Sequence, residues 1–217
     1  MESLPASKDL DLKRSSAPGT IARLIPDYLT TLRLRKLRID ECLWASPVVV
    51  QNILCSMPSL EVLIADCVLD IAIQEDPRPW VCTGLRELTT EFVFRCGSEG
   101  DTLILERLAT MDRLESLTVQ QGNWSRLRSW TEYSDWRYTD IESMPLSLER
   151  GLDQLRALRE LRSLRVKDRV TRWGKDEAQW ALENWVHLIR LDIAVDQEAG
   201  VLLQHRLVPI QISFFED

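Results

Sequence analysis

The sequence contains few of the residues from which catalytic and metal sites are usually built. It has only two histidines, His187 and His205, and its five cysteines form no Cys-x-x-Cys pair. The glycine-rich nucleotide-binding motifs, the Gly-x-Ser-x-Gly nucleophile motif and the His-Glu-x-x-His zinc motif are all absent. The sequence therefore predicts a protein that is not an enzyme and that needs no metal ion or cofactor.

The sequence also lacks long apolar runs and an excess of positive charge. Its apolar runs, such as Val48–Val50, are far shorter than the roughly 20 residues that span a bilayer, and residues 1–16 have no signal-peptide core. The net charge of −7 disfavours nucleic acid and membranes as partners, because phosphate groups attract clustered positive charge. Scattered cysteines in odd number are typical of reduced thiols, so we expect a cytoplasmic or nuclear protein.

What the sequence has instead is a motif of spaced leucines, Leu-x-x-Leu, which recurs about every 26 residues. A period of roughly 20–29 residues is typical of leucine-rich repeats, in which each repeat stacks on its neighbours to bury its apolar side. One interval of about 47 residues is long enough for a repeat and an insertion. The second leucines of the motif are Leu37, Leu63, Leu88, Leu117, Leu164 and Leu191.

This periodicity predicts an α/β leucine-rich-repeat solenoid of about six repeats, with a curved parallel sheet and outer helices or loops. Apolar and charged residues alternate over residues 36–40, as in a half-buried strand, and Ser46-Pro47 is a typical helix start. Residues 70–79 contain two prolines and little helical periodicity, which favours an extended segment or a loop. We predict a disordered tail over 1–20 and a repeat domain over 21–217, with an insertion at about 121–144.

The residues between the leucines are expected to line the concave side of the sheet. Basic, apolar, acidic, neutral and again basic strands follow one another, a pattern that suits a protein partner of complementary charge. The alternative is that they are ordinary solvated strand residues, although the neighbouring Val62 and Ile64 favour a contact patch. The candidate protein-binding residues on this face are Lys36, Arg38, Val62, Ile64, Glu87, Glu91, Arg165, Lys167 and Arg190.

The insertion is the second candidate protein-binding site. Tryptophan and arginine are enriched among interface anchors, and the insertion contains Trp124, Trp130 and Trp136 together with three arginines. The alternative is that these tryptophans pack over the edge of the repeats. Aromatic residues beside arginines also suggest single-stranded nucleic acid, but four acidic residues in the same segment dilute the positive charge, so we expect no nucleic-acid partner.

Three segments share residues beyond the spaced leucines. They are Trp80-Val81-Cys82 with Leu85 and Leu88, Gly151–Leu155 running into Leu161 and Leu164, and Gly174–Glu177 followed by Trp180, Glu183-Asn184-Trp185 and Leu188. Together they resemble the leucine-rich-repeat region of fungal F-box proteins, over about residues 34–193.

The resemblance implies a module that binds protein substrates for a cullin-type ubiquitin ligase. In that family, F-box helices bind an Skp1-like adaptor, which connects the repeats to the cullin. The chain has Leu4-Pro5 near its beginning, but the residues that follow lack the run of apolar helical positions of an F-box. The alternative is a stand-alone repeat scaffold or inhibitor with no ligase partner.

Overall fold

The computed structural model describes residues 9–14, 33–42, 44–95, 100–120, 141–143, 146–167 and 171–205, which form short strands and helices. The strands are β1 (Asp9–Asp11), β2 (Lys36–Arg38), β3 (Val62–Leu69), β4 (Glu87–Arg95), β5 (Ser116–Val119), β6 (Ile141–Ser143), β7 (Ser163–Val166), β8 (Arg172–Trp173), β9 (Arg190–Asp192) and β10 (Ala194–Val195). The helices are α1 (Pro47–Ser56), α2 (Asp70–Glu75), α3 (Gly100–Leu108), α4 (Lys175–Asn184) and α5 (Gln197–Gln204), with 3-10 helices at Leu148–Arg150 and Leu152–Ala157.

Seven of the described strands pair in parallel, in the order β1-β2-β3-β4-β5-β7-β9. The strands follow one another in chain order, because each repeat returns to the sheet beside the repeat before it. β6 joins this sheet antiparallel to the end of β4, whereas β8 and β10 form a separate parallel pair. The prediction of an α/β fold with a parallel sheet is confirmed.

The motif leucines lie side by side in the sheet. Each is the direct register partner of the leucine in the next strand, and each is at most 1% exposed. The predicted register is therefore confirmed, and the apolar core runs without interruption from one repeat to the next. In order along the sheet, these leucines are Leu37, Leu63, Leu88, Leu117, Leu164 and Leu191.

A tight turn, which the sequence did not predict, precedes each motif copy from the second onward. The N–H of the first motif leucine donates to the carbonyl oxygen three residues earlier, at 2.9–3.2 Å. The accepting residue is buried and apolar in every case, so the turn is held by packing as well as by its hydrogen bond. These residues are Met57, Cys82, Met111, Leu158 and Trp185.

The first four α-helices lie between strands in sequence, α5 follows β10, and each helix buries one side. Pro47 occupies the start of α1, where a missing N–H costs nothing, and Val50, Ile53 and Leu54 are buried. The prediction of an extended segment or loop over residues 70–79 is wrong for residues 70–75, which form α2. Six residues make fewer than two helical turns, so a helical period is not visible, and packing of the buried side chains stabilises the helix instead.

The prediction of a disordered tail over residues 1–20 is wrong for residues 9–14. Asp9–Asp11 forms β1, which pairs in register with β2 at the edge of the sheet. Leu10 and Leu12 pack against the core, whereas Asp9 and Asp11, which alternate with them, are exposed. This alternation is that of a half-buried strand, and it is too short to stand out in a polar segment.

A ladder of alternating charges runs along the outside of the turns, at the residue after the first motif leucine. We call these residues the charge ladder. From the second member onward, each backbone N–H donates to the carbonyl oxygen of the preceding member, at 2.7–2.8 Å. Glu61 accepts from Arg35, and Glu115 lies 3.1 Å from Arg86 and 4.0 Å from Arg162. In order, the charge ladder is Arg35, Glu61, Arg86, Glu115 and Arg162, and the next repeat has Ile189 at this position.

We expect the charge ladder to make stability depend on pH in the acid range. The hydrogen bond from Arg35 lowers the pKa of Glu61 below its ordinary value of 4.5. Because the folded-state pKa is the lower one, the contribution of Glu61 is complete above pH 4.5 and is lost as the pH falls through the folded-state pKa. Urea unfolding at a series of pH values should show Glu61→Gln less stable than the wild type at neutral pH, with the difference vanishing in acid.

The control for this measurement is Glu160→Gln, which removes one charge at an exposed site outside the ladder. Its stability difference from the wild type should be small, since isolated surface charges contribute little. If the difference in stability between Glu61→Gln and the wild type stays constant down to about pH 3, the Arg35–Glu61 hydrogen bond does not depend on the ionised carboxylate.

Three of the tryptophans are buried between repeats and bond to a neighbouring repeat. The Nε1 of Trp80 donates to the Gln51 Oε1 at 2.9 Å, and the Nε1 of Trp185 donates to the Leu155 carbonyl at 3.1 Å. The Nε1 of Trp173 donates to the Leu146 carbonyl at 2.6 Å. The indole rings therefore fill the joints between repeats while their polar N–H groups remain paired.

Candidate binding groove on the parallel sheet

A groove of about 380 Å³ lies on the face of the sheet opposite the motif leucines. It contains six of the nine residues that the sequence predicted for this face. Its volume is at the lower end of the range of small-ligand pockets, which indicates room for a few side chains. The lining residues are Arg38, Asp40, Ile64, Glu87, Thr89, Ser116, Thr118, Gln120, Ser163, Arg165, Lys167 and Arg190.

Strand alternation and parallel register together place these side chains in two rows. In β7, Ser163 and Arg165 are half-buried whereas Leu164 and Val166 are buried, as expected when successive side chains point to opposite faces. Because neighbouring strands pair in register, equivalent positions of successive repeats become neighbours. The first row is Lys36, Val62, Glu87, Ser116, Ser163 and Arg190, and the second is Arg38, Ile64, Thr89, Thr118, Arg165 and Asp192.

The centre of the groove is lined by small hydroxyl side chains. We call Thr89, Ser116, Thr118 and Ser163 the hydroxyl floor. They come from β4, β5 and β7, and longer charged side chains lie on both sides of them. The motif spacing predicts all four of these residues on the concave face, but they were not among the predicted site residues. The available signal was the occurrence of Ser or Thr at the same motif positions in successive repeats.

One end of the groove carries a surplus of positive charge. Arg165, Lys167 and Arg190 form this cationic end, and one carboxylate, that of Asp192, lies 3.8 Å from the Arg165 Nε. Among the described residues, four cationic and two anionic side chains line the groove, in a chain whose net charge is −7. The local sign of charge is thus opposite to that of the molecule, which favours an anionic group at this end.

The other end of the groove is closed by an ion pair. The Arg38 Nε donates to the Asp40 Oδ1 at 2.7 Å, and this hydrogen bond raises the pKa of Arg38. Lys13 lies 3.6 Å from the same carboxylate. This end therefore presents charges of both signs, whereas the described side chains that line the cationic end are all positive.

The remaining predicted residues of this face differ in exposure. Val62 and Ile64 are half-buried neighbours in β3, and we call them the apolar pair. Ile64 lines the groove, whereas Val62 lies beside Lys36 and Glu87 in the first row. Lys36 is exposed and lies 3.8 Å from Asp9 of β1.

The prediction that Glu91 is part of the exposed binding face is wrong. Glu91 is 4% exposed and does not line the groove. Residues 90–94 of β4 are all buried, so both faces of this strand are covered there. The register between β3 and β4 also shifts between Ile64 and Cys67, where an extra residue bulges from β3. Glu91 then pairs with Cys67, whose pKa is raised by burial first and by the charges of Glu91 and Asp66 second.

The second predicted site, with Trp124, Trp130 and Trp136, lies outside the described residues. The insertion is described only at its end, where residues 141–143 form β6 against β4. Its tryptophans therefore remain candidate binding residues on the strength of their composition.

The described residues show no arrangement suited to metal binding, since no group of three or more His, Cys, Asp or Glu is placed to hold an ion. Cys42 and Cys82 are buried, and burial raises the pKa of the Cys82 thiol to about 12, far from the range of a reactive thiolate. Among the described helices, none combines the length and the apolar character needed to cross a membrane.

No family model matches the chain, and no curated protein matches it. Among solved structures, an internalin from Listeria monocytogenes is similar with a TM-score of 0.24 and 13% identity, over 89% of this chain and 70% of the internalin chain. A likeness of this size supports no inference about fold or function.

Proposed function

We propose that this chain is a leucine-rich-repeat module that binds a protein partner through the groove. The six motif leucines in register support the repeat assignment, since each repeat buries its apolar side only against its neighbours. The groove itself carries the functional part of the proposal. It combines charges of both signs with hydroxyl groups on a rigid sheet, as surfaces that recognise proteins do. In this proposal the chain binds without catalysing a reaction.

The more specific form of the proposal is recognition of substrates for a cullin-type ubiquitin ligase in the cytoplasm or nucleus. It is supported by the resemblance of the three quoted segments to fungal F-box proteins. Its partners would be a protein substrate in the groove and an Skp1-like adaptor with its cullin. The alternative is a stand-alone scaffold or inhibitor, which would use the same groove without these ligase subunits.

Affinity purification from a cell lysate, followed by mass spectrometry, tests both forms. The wild type is compared with Ser116→Trp/Ser163→Trp, which fills the hydroxyl floor without changing the charge. The matched control is Ser59→Trp/Thr83→Trp, which places the same bulk on exposed turns before β3 and β4. We expect a bound protein to be recovered with the wild type and the control, and to be reduced about tenfold or more with the groove variant.

Recovery of the same proteins with all three baits would show that the groove is not the binding surface. Recovery of an Skp1-like adaptor and a cullin with the wild type would support the ligase form. A groove-dependent partner without these subunits would instead support the stand-alone scaffold or inhibitor. Thermal melting of each variant checks that loss of binding is not loss of folding.

A further inference from the structure

The cationic end of the groove and the apolar pair differ in chemistry, and this difference indicates what kind of partner would bind. We propose that the groove takes an extended acidic segment of its partner, in which an apolar residue lies four to six positions from the acidic residues. The proposal rests on the proposed function and names the kind of protein segment that the groove recognises.

The acidic part of the segment is assigned to the cationic end. Arg165, Lys167 and Arg190 bring three positive charges to the end of the sheet formed by β7 and β9, where the Asp192 carboxylate lies 3.8 Å from the Arg165 Nε. Arg165 is half-buried, so its charge is screened by solvent less than that of an exposed arginine. Carboxylates fit arginine side chains well, because the guanidinium group donates two parallel hydrogen bonds.

The apolar part of the segment is assigned to the apolar pair. Val62 and Ile64 interrupt the polar face at β3, between the Arg38–Asp40 ion pair and the hydroxyl floor. They are half-buried by their neighbours, so an apolar side chain of the partner would complete their removal from water. Between the two ends, the hydroxyl floor offers donors and acceptors to the backbone of an extended segment.

The spacing follows from the geometry of the sheet. Neighbouring strands lie about 4.8 Å apart, so β3 is about 14 Å from β7 and about 19 Å from β9. An extended chain advances about 3.3 Å per residue, and it therefore covers these distances in four to six residues. A segment that crosses the strands in this way contacts the apolar pair and the cationic end at once.

Nucleic acid is a poorer fit for the same groove. Asp40 and Glu87 line it, and their negative charges would repel a phosphate backbone that runs along it. An acidic peptide can place its carboxylates at the cationic end alone and pass Glu87 with an uncharged residue. The positive charge is concentrated at one end of the groove, and this distribution favours an acidic peptide over a nucleic acid.

Selection from a displayed library of random 12-residue peptides tests the proposal with the full chain as bait. We expect the wild type to enrich peptides with Asp or Glu four to six residues from Leu, Ile, Val or Phe. The variant Arg165→Glu/Lys167→Glu/Arg190→Glu should bind the selected peptides about tenfold more weakly and should enrich basic peptides instead. The variant Val62→Ser/Ile64→Ser should keep the acidic preference and lose the apolar one.

The matched control is Arg156→Glu/Arg159→Glu/Lys175→Glu, which makes the same change of charge at exposed sites outside the groove. It should select the same peptides as the wild type, and thermal melting should show all variants folded. The proposal would be overturned if the wild type enriched basic or uncharged peptides. It would also be overturned if the wild type enriched no peptides above a surface without bait protein. If a lysate partner still depends on the hydroxyl floor in that case, the proposed function stands and only the acidic segment is excluded.

Discussion

Leu164→Asp should unfold the protein or leave it only partly folded at room temperature. Leu164 is fully buried between its register partners Leu117 and Leu191. A carboxylate at this position has no partner and no water, which costs several kcal/mol, against a total stability of about 5–15 kcal/mol for a typical domain. Circular dichroism and urea unfolding measure the loss directly. Leu37→Asp should have a similar effect, because Leu37 is equally enclosed.

The control is Ser163→Asp, on the same strand and one residue away. Ser163 is half-buried at the hydroxyl floor, beside Arg190, so an aspartate there can reach water and a positive charge. We expect this variant to fold with a melting temperature close to that of the wild type. If Leu164→Asp melts like Ser163→Asp, the assignment of the motif leucines to the core would be wrong.

Trp173→Ala should cost about 3–5 kcal/mol of unfolding free energy, because it leaves a large cavity at the joint between repeats. Trp173 is fully buried, its ring centroid is 6.2 Å from that of Trp185, and its Nε1 bonds to Leu146. For a protein of this length, a loss of this size lowers the melting temperature by roughly 6–20 °C. Thermal unfolding followed by circular dichroism measures it.

Two further substitutions separate the causes of this effect. Trp173→Phe keeps an aromatic ring but leaves the Leu146 carbonyl without its donor, which should cost about 1–3 kcal/mol. Trp180→Ala removes a half-buried indole that packs edge-on against Trp185 at 5.0 Å, and it should cost less than Trp173→Ala. Equal losses for Trp173→Ala and Trp180→Ala would contradict the role of Trp173 as a filled joint.

The repeated leucines predicted the sheet well because their signal is redundant. Each of Leu37, Leu63 and Leu88 requires the same burial in the same register, so one weak copy does not change the assignment. The same redundancy located most of the groove residues, since side chains between buried leucines must point to the other face. Arg165, Lys167 and Arg190 were placed in this way without knowledge of any contact.

The features that sequence analysis missed depend on contacts between distant residues or on single local events. β1 forms because it can pair with the edge of β2, a contact that its own three residues do not reveal. α2 is too short to show a helical period. Glu91 is buried because both faces of β4 are covered from Thr90 to Phe94, and nothing in the motif spacing marks this. The charge ladder was present in the sequence, but its meaning depends on the register that places Glu61 beside Arg35.

The sequence by itself determined the repeated motif, the leucines that enter the core and most of the side chains that face the groove. It did so because burial of leucine at a fixed spacing is a local requirement repeated many times. The tertiary structure decided where the chemistry changes along the groove. The hydroxyl floor and the cationic end exist only because parallel pairing brings residues 27 to 47 positions apart within about 5 Å of each other. Proximity of this kind is set by the register of the whole sheet, and no single repeat encodes it.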